Sequence, residues 1–126
     1  MIDEEYYPEE DYVPEDIAKL LFEKGFDWEV FERKYYPKDP FDPYDSEGIY
    51  APTLQTAMKW LREVHNLCIE PYRTACGYLS TISKIPTGST LYSQEYEGDD
   101  EDSGQFTTYE KSCEAAIKYC LEHLMH

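Results

Sequence analysis

The stretch "TTYEKSCEAAIKYCLEHLM", residues 107–125, constrains this chain more than any other. Cys113, Ala116, Ile117, Cys120, Leu121 and Leu124 fall at i, i+3, i+4, i+7, i+8 and i+11, which winds into one apolar stripe on a helix. Such a stripe has to be covered by another element, because a lone amphipathic helix of this length is marginal in water. Thr107 and Glu110, spaced S/T-x-x-E, predict a capping box at its start.

A second helix is predicted by "APTLQTAMKWLREVHN". Pro52 suits its entry, Leu54, Ala57, Met58, Leu61 and Val64 form its stripe, and Asn66 suits a left-handed cap. A shorter helix over 15–24 is predicted by "PEDIAKLLFEKGF". Pro14 suits a first helical position, Glu15 and Asp16 favour the positive end of the dipole, Ile17, Leu20 and Leu21 share a face, and Gly25 stops it. Between the two long helices, "LCIEPYRT", "GYLSTISKI" and "TLYSQEY" read as strands separated by "ACG" and "PTGS". Pro71 marks the first of these as an edge strand or a bulge. "DWEVFERKYYP" fits a helical turn or an extended segment, and "PKDPFDPYDSEG" is a loop.

The order α-α-β-β-β-α predicts an α+β fold: a three-stranded antiparallel sheet, with the 52–65 and 109–124 helices on one face and the 15–24 helix alongside. Leu54, Met58, Leu61, Ile69, Leu79, Ile117, Cys120 and Leu121 are the expected core. The organisation is an acidic, tyrosine-rich N-terminal tail over 1–13, then one domain over 14–126 with an acidic loop at 95–104. A chain of 126 residues can bury about two-thirds of its unfolded surface, enough for a core without staples.

Charge narrows the function classes. Fourteen of the 27 acidic residues lie in two stretches, 1–16 and 95–102, that contain no Lys or Arg, leaving 13 acids against 11 basic residues elsewhere. The net charge is −16 but the body is close to neutral. Nucleic-acid phosphate and anionic membranes both require clustered cations and are excluded as partners. A basic protein partner remains. The N-terminal stretch is acidic and lacks an apolar run, so no signal peptide is expected, and no segment reaches the ~18 apolar residues of a membrane span. The four cysteines are expected as reduced thiols in a cytoplasm. Thirteen tyrosines, against five Phe and two Trp, suit half-buried rims and contact surfaces, a homodimer surface among them.

The same element order, over 52–124, occurs in double-stranded RNA-binding domains. Those place Lys at the start of the last helix, where this chain has Thr107, Thr108, Tyr109 and Glu110, so RNA is not an expected ligand. Over residues 16–124, "DIAKLLFEKGF", "TLQTAMKWLREVHN" and "TYEKSCEAAIKYCLEHL" in this order resemble a set of short proteins common in gut anaerobic bacteria and their phages or mobile elements. That resemblance implies a compact α+β unit in such a context, and no catalytic residues.

Two metal readings follow from spacing. "DDEDSGQFTTYE" has the length of a calcium loop, with Asp99 first, Glu101 third, Ser103 fifth, the Gln105 carbonyl seventh, Thr107 ninth and Glu110 twelfth, and Gly104 at the sharp turn. Against it stand the long Glu101, the strand where an entering helix belongs, and the lack of a second loop. His65-x-x-Cys68 and Cys120-x-x-His123 form a zinc set only if their ends meet. Cys113 and Cys120 also fit the apolar stripe. No cofactor is expected beyond these two candidates.

No phosphate loop, H-E-x-x-H or G-x-S-x-G occurs, and the carboxylate pairs lie in exposed runs that would not separate their pKa values. The expectation is a non-enzymatic acidic accessory protein that acts through protein–protein contacts. The alternatives are a nucleic-acid-mimicking inhibitor of a host DNA- or RNA-binding protein, and calcium binding by loop 99–110.

Overall fold

A computed structural model describes residues 12–28, 34–35 and 49–125. The elements in order are α1 (Glu15–Glu23), β1 (Lys34–Tyr35), β2 (Ile49–Tyr50), α2 (Leu54–Val64), β3 (Leu67–Arg73), β4 (Tyr78–Lys84), β5 (Thr90–Ser93) and α3 (Tyr109–Tyr119), which ends in a π-helical turn, Cys120–Leu124. The α+β architecture is the one read from the sequence: helices pack against a three-stranded antiparallel sheet of order β3-β4-β5. The small antiparallel pair β1–β2 is an addition to it. Residues 1–11 and 36–48, and with them most of the predicted tail and the Pro/Asp-rich loop, lie outside the described residues. Tyr12 and Val13, assigned to the tail, join the domain instead: Tyr12 bridges Thr53, and buried Val13 donates its N–H to the Pro52 carbonyl at 3.1 Å.

The helix ends follow from local chemistry. Pro14 stands at the N-cap position of α1, one residue before the helix and without a side-chain bond, and α1 closes in a Schellman arrangement: Phe26 N–H donates to the Leu21 carbonyl at 2.9 Å and Gly25 N–H to that of Phe22 at 3.2 Å. Gly25 makes this turn at φ +93°, and Asn66 reverses the chain after α2 at φ +59°, as its position predicts. Thr53 caps α2 by accepting from Thr56 N–H. In α2 four members of the expected stripe, Leu54, Ala57, Met58 and Leu61, are buried and one member is exchanged. Val64 is 49% exposed, and Trp60 is buried instead, edge-on to Phe26 at 5.3 Å.

The predicted core is buried at Leu54, Met58, Leu61, Ile69, Ile117, Cys120 and Leu121, but Leu79 is only half-buried. The inward face of β4 carries Ser80 and Ile82, and across the sheet Ile69, Ile82 and Tyr92 share one register row. Ser80 can face inward because a polar lock surrounds it. Its N–H donates to Gln94 Oε1 at 2.8 Å, and its hydroxyl meets that of Ser112 at 2.7 Å. Ser112 Oγ donates to the same Gln94 Oε1 at 2.9 Å, and Gln94 Nε2 donates to the Ser112 carbonyl at 2.9 Å. The lock ties β4, the start of the loop after β5, and α3. It leaves no buried side-chain polar atom without a partner among the described residues.

Pro71 occupies an edge strand, as predicted. It faces Ser80, whose N–H and C=O both point toward Gln94 on the far side. Pro71 therefore sits at a non-hydrogen-bonded position, where the donor it lacks would have pointed out of the sheet. On the opposite side, a bulge between Ile82 and Ser83 leaves Leu91 of β5 without a partner residue and exposed.

Candidate functional site

The acidic loop between β5 and α3 is a closed, internally bonded turn. Gly98 N–H donates to the Gly104 carbonyl at 2.8 Å, Asp100 N–H to that of Gln105 at 3.0 Å, and Gly104 N–H to that of Asp100 at 2.8 Å. Two glycines make this possible. A Cβ on Gly98 would lie 2.0 Å from the Gln105 carbonyl carbon, and one on Gly104, at φ +71°, would lie 2.5 Å from Tyr96 Cα. No L side chain fits either place. Tyr96, braced on Gly104, takes φ +56°, a genuine outlier for a bulky residue, and is 85% exposed.

Asp99 hitches the loop to the start of α3. Its Oδ1 accepts from Thr107 N–H at 2.9 Å, and its Oδ2 accepts from the Thr107 hydroxyl at 2.6 Å and from Lys111 Nζ at 3.1 Å. The Thr107 hydroxyl and amide, then Lys111, hold this carboxyl well below the usual carboxylate range. The predicted capping box of Thr107 and Glu110 does not form, because the Thr107 N–H that Glu110 would receive goes to Asp99, and a simple N-cap one residue later replaces it. Thr107 is taken up by Asp99, and Thr108 caps α3, accepting from Lys111 N–H at 3.1 Å.

The calcium set is not assembled by this geometry. The first-place carboxylate, Asp99, is engaged by Thr107 and Lys111, and the fifth-place Ser103 hydroxyl accepts from Gln105 N–H at 3.2 Å. The seventh-place Gln105 carbonyl accepts from Asp100 N–H. Glu101 is exposed, and Glu110 lines a separate 200 Å³ cleft with Thr53, Leu54, Gln55 and Tyr109. The zinc set is scattered likewise. His65 lies edge-on to Trp60 at 4.5 Å, Cys68 sits half-buried on β3, Cys120 is buried, and His123 lies outside against Tyr119 at 4.7 Å. Among the described residues no three His, Cys, Asp or Glu side chains converge on one point. Burial pushes the Cys113 and Cys120 thiols up to about 12, so both are packing groups at neutral pH.

What the spacing did not suggest is a groove. It measures 360 Å³, within the range of about 300–1,000 Å³ common for binding pockets. It lies between the start of α1, the outer side of α3 and the loop. Pro14, Ile17, Phe106 and Ala115 contribute its apolar surface, and Asp16, Glu97, Asp99 and Glu114 line it with Lys111 and Lys118. Lys111 pairs with Asp99, and Lys118 with Asp16 at 3.3 Å. Glu97 accepts from the Tyr92 hydroxyl at 2.6 Å. The Tyr92 ring in turn stacks on Tyr119 of α3 at 3.7 Å. Desolvation, with Asp16 and Glu110 nearby, raises the Glu114 carboxyl above its ordinary range. Comparison of the chain with protein-family models, with curated proteins and with solved structures returns no match.

Proposed function

We propose that this chain is a non-enzymatic, cytoplasmic accessory protein that acts by binding another protein, and that the loop between β5 and α3 is part of its contact surface. The observation that carries the reading is Tyr96. An aromatic ring is held out in solvent on a backbone conformation that costs about 1–3 kcal/mol. A fold that needed only to turn the chain here would be better served by glycine or asparagine. Tyrosine is among the side chains that most often anchor a protein interface, because it buries a large area with little ordering cost.

The test is affinity capture from cells that naturally make the chain. Wild type is compared with Tyr96→Ala and with Tyr72→Ala, a control that removes an exposed tyrosine from β3. The expected result is a protein held by wild type and Tyr72→Ala and lost with Tyr96→Ala, since an anchor of about 2 kcal/mol corresponds to roughly thirtyfold in affinity. Equal capture by all three would refute the reading.

Nucleic-acid mimicry is supported by one observation, the cross-bonded turn that puts Asp99, Asp100, Glu101 and Asp102 on a fixed frame. In that case capture would fall steeply with salt and would depend on these acids rather than on Tyr96.

A further inference from the structure

We infer that the groove between α1, α3 and the 97–106 loop is the seat of a lysine or arginine side chain of a partner protein, its alkyl stem on Ile17 and Phe106 and its cation at Glu97 and Glu114. The inference rests on the protein-contact reading above and adds the chemistry of the partner.

Charge bookkeeping within the groove selects the occupant. Of its four carboxylates, Asp16 and Asp99 already hold the two lysines, Lys118 and Lys111. Two remain. Glu97 accepts from the Tyr92 hydroxyl, a neutral donor that orients the carboxylate and supplies no counter-charge. Glu114 has no ion pair among the described residues. It is half-buried, and the carboxylates nearest to it are Asp16 from α1 and Glu110 from its own helix, with Lys111 one turn back. The groove therefore keeps two surplus negative charges above an apolar floor. That combination matches a side chain with an apolar stem and a cationic head. A second copy of this chain is a poor occupant, since each copy carries −16. Nucleic acid is repelled for the same reason.

The experiment uses the peptide acetyl-Ala-Ala-Arg-Ala-Ala-amide and its citrulline counterpart, which keeps size and hydrogen bonding but loses the charge, titrated into the full chain and followed by amide NMR. The arginine peptide is expected to shift the amides of Ile17, Gly98, Phe106 and Ala115, and the citrulline peptide to leave them in place. Glu114→Gln weakens the arginine peptide about tenfold, the loss of one charge-assisted contact. Glu63→Gln, which removes the same charge from the exposed side of α2, changes it less than twofold. Because Glu114→Gln relieves carboxylate crowding, the variant remains folded and the comparison stays valid. Equal shifts with both peptides, shifts spread over 99–102 instead of the groove, or equal weakening by Glu63→Gln would overturn the inference. If it is overturned while Tyr96-dependent capture persists, the contact reading stands without the groove. If capture fails while the arginine peptide binds, the groove stands without that reading.

Discussion

The polar lock of Ser80, Gln94 and Ser112 yields a quantitative prediction about how this small core tolerates hydroxyls. Gln94→Ala removes three hydrogen bonds at once, from Ser80 N–H at 2.8 Å, from the Ser112 hydroxyl at 2.9 Å and to the Ser112 carbonyl at 2.9 Å. The three losses are unequal. The Ser112 carbonyl lies within α3, so the bond from Gln94 is additional to its helical one. The Ser112 hydroxyl can turn toward Ser80. The Ser80 N–H faces only Gln94 and is left buried without an acceptor, at a cost of about 1–3 kcal/mol. A space the size of a truncated side chain, at a position 2% exposed, adds roughly 1–2 kcal/mol. The sum is about 2–5 kcal/mol, against about 1 kcal/mol for Ser80→Ala, which removes a hydroxyl and leaves the N–H paired. Urea unfolding followed by far-UV circular dichroism measures both, with an expected drop in midpoint of about 1–2 M for Gln94→Ala and an unchanged slope. The double variant Gln94→Ala/Ser112→Ala should lose clearly less than the sum of its parts, a coupling of about 0.5–3 kcal/mol. A loss below about 0.5 kcal/mol for Gln94→Ala, or strict additivity, would mean that water or a shifted β5 satisfies Ser80, and the lock would not be a unit.

Other outcomes follow from the loop and the buried thiols. Gly98→Ala should destabilise by about 1–3 kcal/mol in the same urea assay, because the contact it forces is with backbone that cannot yield. Millimolar calcium should leave the amides of 99–110 and the melting temperature unchanged; a saturable shift would restore the twelve-residue metal loop. With a neutral-pH thiol reagent, exposed Cys76 should label at once, and Cys113 and Cys120 only on unfolding. For Glu114 the folded carboxyl titrates above its unfolded value, so its effect on stability is absent at pH below the unfolded value and becomes unfavourable as pH rises through the folded one. Glu114→Gln should therefore raise the melting temperature at pH 7 and lose that advantage near pH 4. A lower melting temperature at pH 7 would contradict it.

Much of the architecture was legible because it rests on local rules. The stripes of α1 and α3, Gly25 and Asn66 at helix ends, and Pro71 at an edge each depend on a few neighbouring residues. The differences come from partners distant in sequence. Leu79 and Ser80 alternate equally well on paper, and Ser80 faces inward only because Gln94 and Ser112 satisfy it. Thr107 and Thr108 are equivalent as caps until Asp99 claims the first of them. Trp60 replaces Val64 in the core because Phe26, beyond the end of α1, lies against it. The groove was illegible for the same reason, since Ile17, Glu97, Phe106 and Glu114 meet only after folding. The aspartate cluster, by contrast, was conspicuous in the sequence, and what folding adds is the set of bonds by which Asp99 and Asp100 close the loop.

Pro71 limits how copies of this chain can join through their sheets. Head-to-tail growth would require the β3 edge of one molecule to accept the β5 edge of the next, and the outward row of β3 lacks its central donor. With that edge interrupted, propagation into a filament has no repeating step. Between the described sheet edges, the pairing left is β5 against β5 about a two-fold axis, which closes at two copies. One proline thus blocks edge-to-edge growth through β3.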